Sequence, residues 1–316
     1  VAPPLIAIVG PTASGKSAVA LRLARARGGE IVSCDSLQVY RGLDIGSAKP
    51  ARDEQRDVRH HLIDVVDPGE LFSAAEYARR ARAAVADVTA RGRLPIVAGG
   101  TGLYLRALLE GLFDGPARDE VRRRRLEHLA ERFGDERVHR LLRRLDPEAA
   151  ARIGPRDRLR IVRALEVYWA TGQPISAHHR AGAEPLSGYR VLLLGIAPDR
   201  EALREVVERR TREMFERGLL DEVRGLLDQG FASELRPLQA IGYREAVAAV
   251  RGEMSRDEAE RAIVTATMRF AKRQMTWFRH QARVTWFTDP GQAYDAAVEW
   301  LGAEPEAGTD GPGVRT

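Results

Sequence analysis

The chain has 316 residues and one cysteine, Cys34, which excludes a disulfide framework and any multi-cysteine zinc site. Apolar residues make up 44% and charged residues 30%, so the chain is globular rather than disordered, and no apolar run is long enough to span a bilayer. The net charge of +5 is local: residues 118–163 hold 15 arginines against 9 acidic residues, which leaves the rest close to neutral. A solvated helical face accounts for such a run as readily as an anionic partner does. The chain enters an apolar run at Leu5 with no basic leader before it, so a cytoplasmic protein is expected.

Residues 5–9 form a short apolar run that ends at Gly10 and predict a buried strand. Residues 17–27 carry Val19, Ala20, Leu23 and Ala24 at helical spacing. A second strand is expected at 31–33, an Ala-rich helix at 74–91, a third strand at 94–98 and a helix at 101–110. Strands alternating with helices predict a parallel α/β sheet. Residues 118–170 then read as helical, with Leu126, Leu129 and Phe133, then Val138, Leu141, Leu142 and Leu145, as apolar faces. A strand returns at 189–196, followed by long helices at 199–229 and 257–283. On the second of these, Ile263, Ala266, Phe270 and Trp277 fall on one side. The expected organisation is an α/β core over 1–115 and 188–301, an inserted helical subdomain over 116–187, and a loose tail over 302–316. His178 and His179 read as exposed loop, and His60 and His61 as loop or strand edge.

Gly10-Pro11-Thr12-Ala13-Ser14-Gly15-Lys16-Ser17 matches the phosphate-loop pattern, with an apolar strand before it and an amphipathic helix after it. Glycines let successive N–H groups turn toward phosphate oxygens, and the helix N-terminus adds partial positive charge. Lys16 can neutralise terminal phosphate charge and Ser17 can hold Mg²⁺. The motif predicts a P-loop-type parallel sheet and a di- or triphosphate ligand, not a particular one. Two further strand ends carry polar loops: Cys34-Asp35-Ser36-Leu37-Gln38 and Gly99-Gly100-Thr101-Gly102. Both are expected beside the phosphate loop, because open α/β sheets bind ligands beyond the carboxyl ends of their strands. From spacing alone Asp35 is a reacting carboxylate, an outer-shell Mg²⁺ ligand or a helix cap.

Taken together, the phosphate loop, Asp35 to Arg41, Ile45 to Pro50, His60 to Asp64, Gly99 to Tyr104, Arg163 to Val167, Gln239 to Tyr243 and Ala271 to Phe278 resemble the tRNA dimethylallyltransferase family. The resemblance implies a dimethylallyl transfer from dimethylallyl diphosphate to the exocyclic N6 of adenosine 37 in the tRNA anticodon loop. It implies Asp35 as base, with Thr101 and a distant arginine, Arg210 or its neighbour Arg209, assisting. Gly10, Thr12, Ala13, Ser14, Gly15, Lys16 and Ser17 would hold the diphosphate. Asp35, Ser36, Leu37, Gln38, Thr101, Arg122, Leu159, Arg160, Ile161, Val162 and Arg163 would contact the anticodon stem-loop. The implied cofactor is Mg²⁺ and the implied enzyme a monomer without membrane attachment. The competing reading is a small-molecule kinase using ATP at the same loop. Ser47 stands where the family commonly has Thr, and Arg156 and Leu159 depart from the family's Asn and Gln, which alters the expected RNA contacts.

Overall fold

The computed structural model describes residues 2–113, 115–116 and 119–303. It divides into two compact units, Val1–Leu109 with Leu186–Thr316, and Glu110–Pro185. Most of the tail expected over 302–316, from 304 onward, lies outside the described residues.

In chain order the first unit begins with β1 (Pro4–Val9), α1 (Lys16–Arg27), β2 (Glu30–Ser33), α2 (Arg52–Asp57), β3 (His60–His61), α3 (Ala74–Ala90), β4 (Pro95–Gly99) and α4 (Gly102–Leu109). The second unit follows with α5 (Glu120–Phe133), α6 (Asp135–Leu145), α7 (Pro147–Arg152), α8 (Arg158–Thr171) and α9 (Ile175–Ala181). The first unit resumes with β5 (Arg190–Ile196), α10 (Arg200–Glu216), α11 (Leu219–Asp228), α12 (Tyr243–Val250), α13 (Arg256–Gln281), β6 (Thr285–Phe287) and α14 (Pro290–Gly302).

Among the described residues the sheet has six strands in the order β3-β2-β4-β1-β5-β6, and every neighbouring pair is parallel. Leu5, Ile6, Ala7 and Ile8 are all fully buried, the condition of a central strand covered by helices on both faces. Val9 lies opposite Gly99 and Ser33 opposite Ala98, so β1, β2 and β4 finish level at their C-terminal ends. That common edge positions three loops side by side. Local sequence sets the helix limits: Gly28 closes α1 with its N–H on the Ala24 carbonyl, and Ser73 opens α3 by accepting from the Glu76 N–H at 3.1 Å.

The other end of the sheet is tied down by charge. Glu30 at the start of β2 is buried and accepts from Arg91 and from His61 Nε2 at 2.7 Å. The Arg91 guanidinium, with His61 assisting, holds its carboxyl down at about 2 despite burial. The histidine pair is thereby accounted for as a strand that anchors β2.

Several sequence expectations are corrected. The helix expected over 199–229 is two helices, because Gly218, at φ 93, interrupts it. The buried stripe of α13 is Ala259, Ile263, Ala271, Gln274 and Phe278, and Phe270 is exposed instead. His178 and His179 lie on α9, where the His178 ring stacks on Phe113 with centroids 5.5 Å apart. In the second unit Leu126, Val138, Leu142, Ile161 and Leu165 form the core, while Leu129 and Phe133 are 41% and 43% exposed. Helices α2, α12 and α14 and strand β6 are not predicted by the sequence pattern, whereas His60 and His61 form the edge strand β3, one of the two expectations for them.

Candidate functional site: three loops at the sheet edge

The phosphate loop leaves β1 at Gly10, whose φ of 150 and close neighbour both require glycine. A Cβ there would sit 2.4 Å from the Ile196 carbonyl oxygen at the end of β5. Ala13, at φ 65, and Gly15, at φ 88, complete the bend into α1. Lys16 is half-buried and its Nζ donates to the Pro11 carbonyl at 3.0 Å. Burial pushes this ammonium down to about 8; the nearby Arg210 charge adds to the fall and Asp35 opposes it. Ser14 Oγ is buried with no hydrogen-bond partner among the described residues. Ser17 lies exposed in the first turn of α1.

The loop after β2 folds back on Asp35. Asp35 Oδ1 accepts from the N–H groups of Leu37 at 2.9 Å and Gln38 at 3.4 Å, a turn held by its own side chain. The Gln38 amide is oriented from both sides: Oε1 accepts from the Ser33 hydroxyl at 2.9 Å and Nε2 donates to the Ala48 carbonyl at 3.3 Å. Ser36 is exposed and its N–H donates to Thr101 Oγ1 at 3.1 Å. Thr101 in turn donates its N–H to the Cys34 carbonyl at 3.1 Å. At Gly99 a Cβ would be 2.1 Å from that same carbonyl oxygen, so the two loops meet backbone to backbone. Cys34 is 1% exposed, and burial pushes its thiol up to about 12, which makes it an inert packing group.

Arg209 and Arg210, adjacent in sequence, separate in space. Arg209 is exposed and lies 3.8 Å from Glu213 one turn on. Arg210 is half-buried; burial lowers its pKa, and the Asp35 carboxylate opposes that fall. Lys16, Asp35 and Arg210 therefore form one charge cluster at the strand ends. A group of three or more His, Cys, Asp and Glu side chains able to cage a metal is absent among the described residues. Any cation here would depend on a ligand's own oxygens.

Three supporting side chains escaped the sequence reading. Lys49 is 8% exposed and its Nζ reaches the Tyr40 carbonyl at 2.9 Å and Asp44 and Asp64 at 2.5 Å each. Glu222 accepts from the N–H groups of Asp44, Ile45 and Gly46 at 3.0, 2.7 and 3.3 Å and from the Tyr243 hydroxyl at 2.7 Å. Both hold the loop whose Ala48 carbonyl orients Gln38. Ser47, on the same loop, turns its hydroxyl inward to the Leu43 carbonyl at 2.5 Å. The third is Gln274, which bridges Thr12 and Gly100. A polar residue on the buried stripe of α13 was the available signal for it.

The second unit holds the other expected residues. Ile161 and Val162 are 1% exposed and belong to its core, whereas Leu159 is 68% exposed and Arg160 is exposed too. Arg163 donates to Glu166 at 3.1 Å and to the Pro116 carbonyl at 3.0 Å. Arg122 pairs with Asp119 at 3.1 Å and donates to the Trp169 carbonyl at 3.0 Å.

A sequence profile described as IPP transferase matches residues 38–281. A tRNA dimethylallyltransferase of Solibacter usitatus is 52% identical over 92% of this chain and 94% of its own length. One from Geobacter metallireducens is 51% identical over 91% and 93%. Among solved structures, a full-length tRNA isopentenylpyrophosphate transferase of Bacillus halodurans superposes with a TM-score of 0.68 at 38% identity, covering 94% of this chain and 95% of that one. A eukaryotic dimethylallyltransferase acting on tRNA gives 0.76 at 26% identity, covering 95% and 77%.

Proposed function

We propose, from the premise that this chain belongs to the IPP transferase family, that it transfers a dimethylallyl group from dimethylallyl diphosphate to N6 of adenosine 37 in a tRNA anticodon loop. The observation that carries this reading is the convergence of Lys16, Asp35 and Arg210 on one edge of the sheet, with Thr101 bonded to the Asp35 loop. A kinase reading of the phosphate loop is not favoured, because the likeness to transferases extends over 92% of the chain, far beyond that loop.

Exocyclic N6 is a weak nucleophile whose lone pair is delocalised into the ring, so a base must take its proton as the new bond to carbon forms. Asp35 Oδ1 is engaged by two backbone N–H groups, which leaves Oδ2 as the atom that accepts the proton. Thr101 Oγ1 accepts from the Ser36 N–H, so its own hydroxyl proton is available to a diphosphate oxygen. The leaving diphosphate gains charge, and Lys16, Arg210 and the loop N–H groups are placed to stabilise it. Gln38, with its amide already oriented, offers its remaining donor and acceptor to a purine edge.

The donor set fits Mg²⁺, which keeps water and phosphate oxygens and takes few protein ligands. The exposed Ser17 hydroxyl would hold it, and bound there the ion would neutralise diphosphate charge. The proposed enzyme is a monomer acting in the cytoplasm, where its tRNA substrate is found. Exposed arginines of the second unit serve the RNA phosphates.

A label-transfer assay tests the reading. Purified protein, Mg²⁺, labelled dimethylallyl diphosphate and unmodified tRNA are expected to give labelled tRNA, lost when adenosine 37 is replaced. No label, together with ATP turnover on a small acceptor, would sink it.

A further inference from the structure

Two of the three site loops are joined through one side chain that the proposed chemistry leaves without a task. Gln274 lies on the buried stripe of α13 and is 7% exposed. Its Oε1 accepts from the Thr12 N–H at 3.0 Å, and its Nε2 donates to the Gly100 carbonyl at 2.9 Å. Thr12 belongs to the loop after β1 and Gly100 to the loop after β4. The seat is tight: a Cβ at Gly100 would stand 2.3 Å from Nε2. Gly100 leads directly to Thr101, which bonds to Cys34 and Ser36 on either side of Asp35. A chain of hydrogen bonds therefore runs from the Lys16 loop, through the Gln274 amide, to the Asp35 loop.

We propose that Gln274 is a positioning residue that fixes the spacing between the loop carrying Lys16 and the loops carrying Thr101 and Asp35. The inference rests on the transferase reading for what that spacing serves. The residue type follows from the two partners. An N–H and a carbonyl presented together need an acceptor and a donor on one planar fork, which an amide supplies. A carboxylate offers acceptors alone and sets a charge against the Gly100 carbonyl. A thioether of similar length fills the volume and leaves both backbone groups unpaired. The Thr12 N–H is also committed to Gln274, so it is not among the loop amides free to meet phosphate.

The test compares Gln274→Glu and Gln274→Met in the full chain, with kcat and KM measured for tRNA and dimethylallyl diphosphate across pH. Gln274→Met is expected to lose about tenfold in kcat at every pH, with KM for tRNA unchanged. Gln274→Glu is expected to lose as much at about pH 8 and to recover toward wild type at about pH 6, because a buried carboxyl titrates high. Once protonated it donates to Gly100 and accepts from Thr12, as the amide does. A residue that only fills the core gives no such recovery. Wild-type kcat in Gln274→Met, or a Gln274→Glu profile parallel to wild type, would overturn the proposal. Amide exchange in the unaltered protein decides the clamp without any variant. The Thr12 N–H is expected to exchange slowly before inorganic diphosphate is added and equally slowly after. Fast exchange of Thr12 in the free protein would overturn the clamp whether or not the variants fold. Failure of the wild-type protein to label tRNA would instead remove the transferase reading, with the Thr12 exchange still judging the clamp.

Discussion

The sheet edge of the first unit and the helices of the second use their charges in opposite ways. At the sheet edge of the first, Lys16, Asp35 and Arg210 stand near one another, and Asp35 Oδ1 is held by backbone N–H groups rather than by a cation. In the second, arginines are matched to acids at short range. Glu166 is fully buried and takes Arg163 at 3.1 Å, Arg123 at 3.7 Å and the Asp119 N–H at 2.8 Å. Arg158 pairs with Asp135 at 2.6 Å and Arg160 with Asp157 at 3.2 Å. The lesson is that a count of arginines overstates the cation offered to an anion. The sheet edge leaves Lys16 and Arg210 for a ligand, while many arginines of the second unit stabilise the unit itself.

Breaking the first half of that contrast should have the largest effect. Asp35→Asn keeps the turn to Leu37 and Gln38 and removes the base, so label transfer should fall about 10³-fold while tRNA binding stays within about twofold. Single-turnover transfer and a filter-binding titration measure the two. Undiminished transfer would place the base elsewhere.

Arg210→Gln removes a half-buried cation from the leaving group and should cost about 10²-fold in kcat. Arg209→Gln removes an exposed charge paired at 3.8 Å and should stay within about twofold. Equal losses would mean that the difference in burial between these neighbours does not carry through to catalysis.

The pH dependence follows from Lys16. Its ammonium is held down at about 8, so it is charged below that pH and neutral above it in the free protein. Bound diphosphate favours the charged form and raises that pKa. KM for dimethylallyl diphosphate should therefore be flat below about pH 8 and rise about tenfold per pH unit above it. Lys16→Arg stays charged throughout and should lose the rise, even where its absolute affinity is weaker. A wild-type profile flat to about pH 10 would contradict the assignment.

The parts of the site that were legible in the sequence are those where backbone chemistry dictates residue type. Gly10, Gly15, Lys16 and Ser17 follow from what a phosphate demands of a strand-to-helix turn, and the loops of Asp35 and Thr101 from their place after apolar strands, while the roles of these two residues come from the family resemblance. The supports were not legible. Gln274 and Glu222 satisfy backbone groups on segments brought near only by the fold, and Lys49 meets its partners within a short loop stretch that carries no repeat to mark it. Arg209 against Arg210 is a difference of one residue, about 100° around a helix, and periodicity alone did not fix the phase. Residues 118–163 gave their helices to apolar spacing but hid ion pairs such as Arg158 with Asp135 and Arg123 with Glu166, whose partners are far apart in sequence.

The smallest effect gives the sharpest view of the second unit. Arg143 and Arg144 are exposed in the last turn of α6, whereas Arg163 is tied to buried Glu166. Replacing Arg143 and Arg144 together with alanine should leave the urea midpoint in place and flatten the salt slope of tRNA binding by about 2, one for each arginine that no longer neutralises a phosphate. Arg163→Ala should do the reverse. It strips a partner from a carboxylate that has no water to turn to, and should cost about 2 kcal/mol of unfolding free energy with the salt slope unchanged. A flattened slope at unchanged stability in Arg163→Ala would mean that this arginine leaves Glu166 to meet RNA, and the contrast between the units would then hold for the free protein alone.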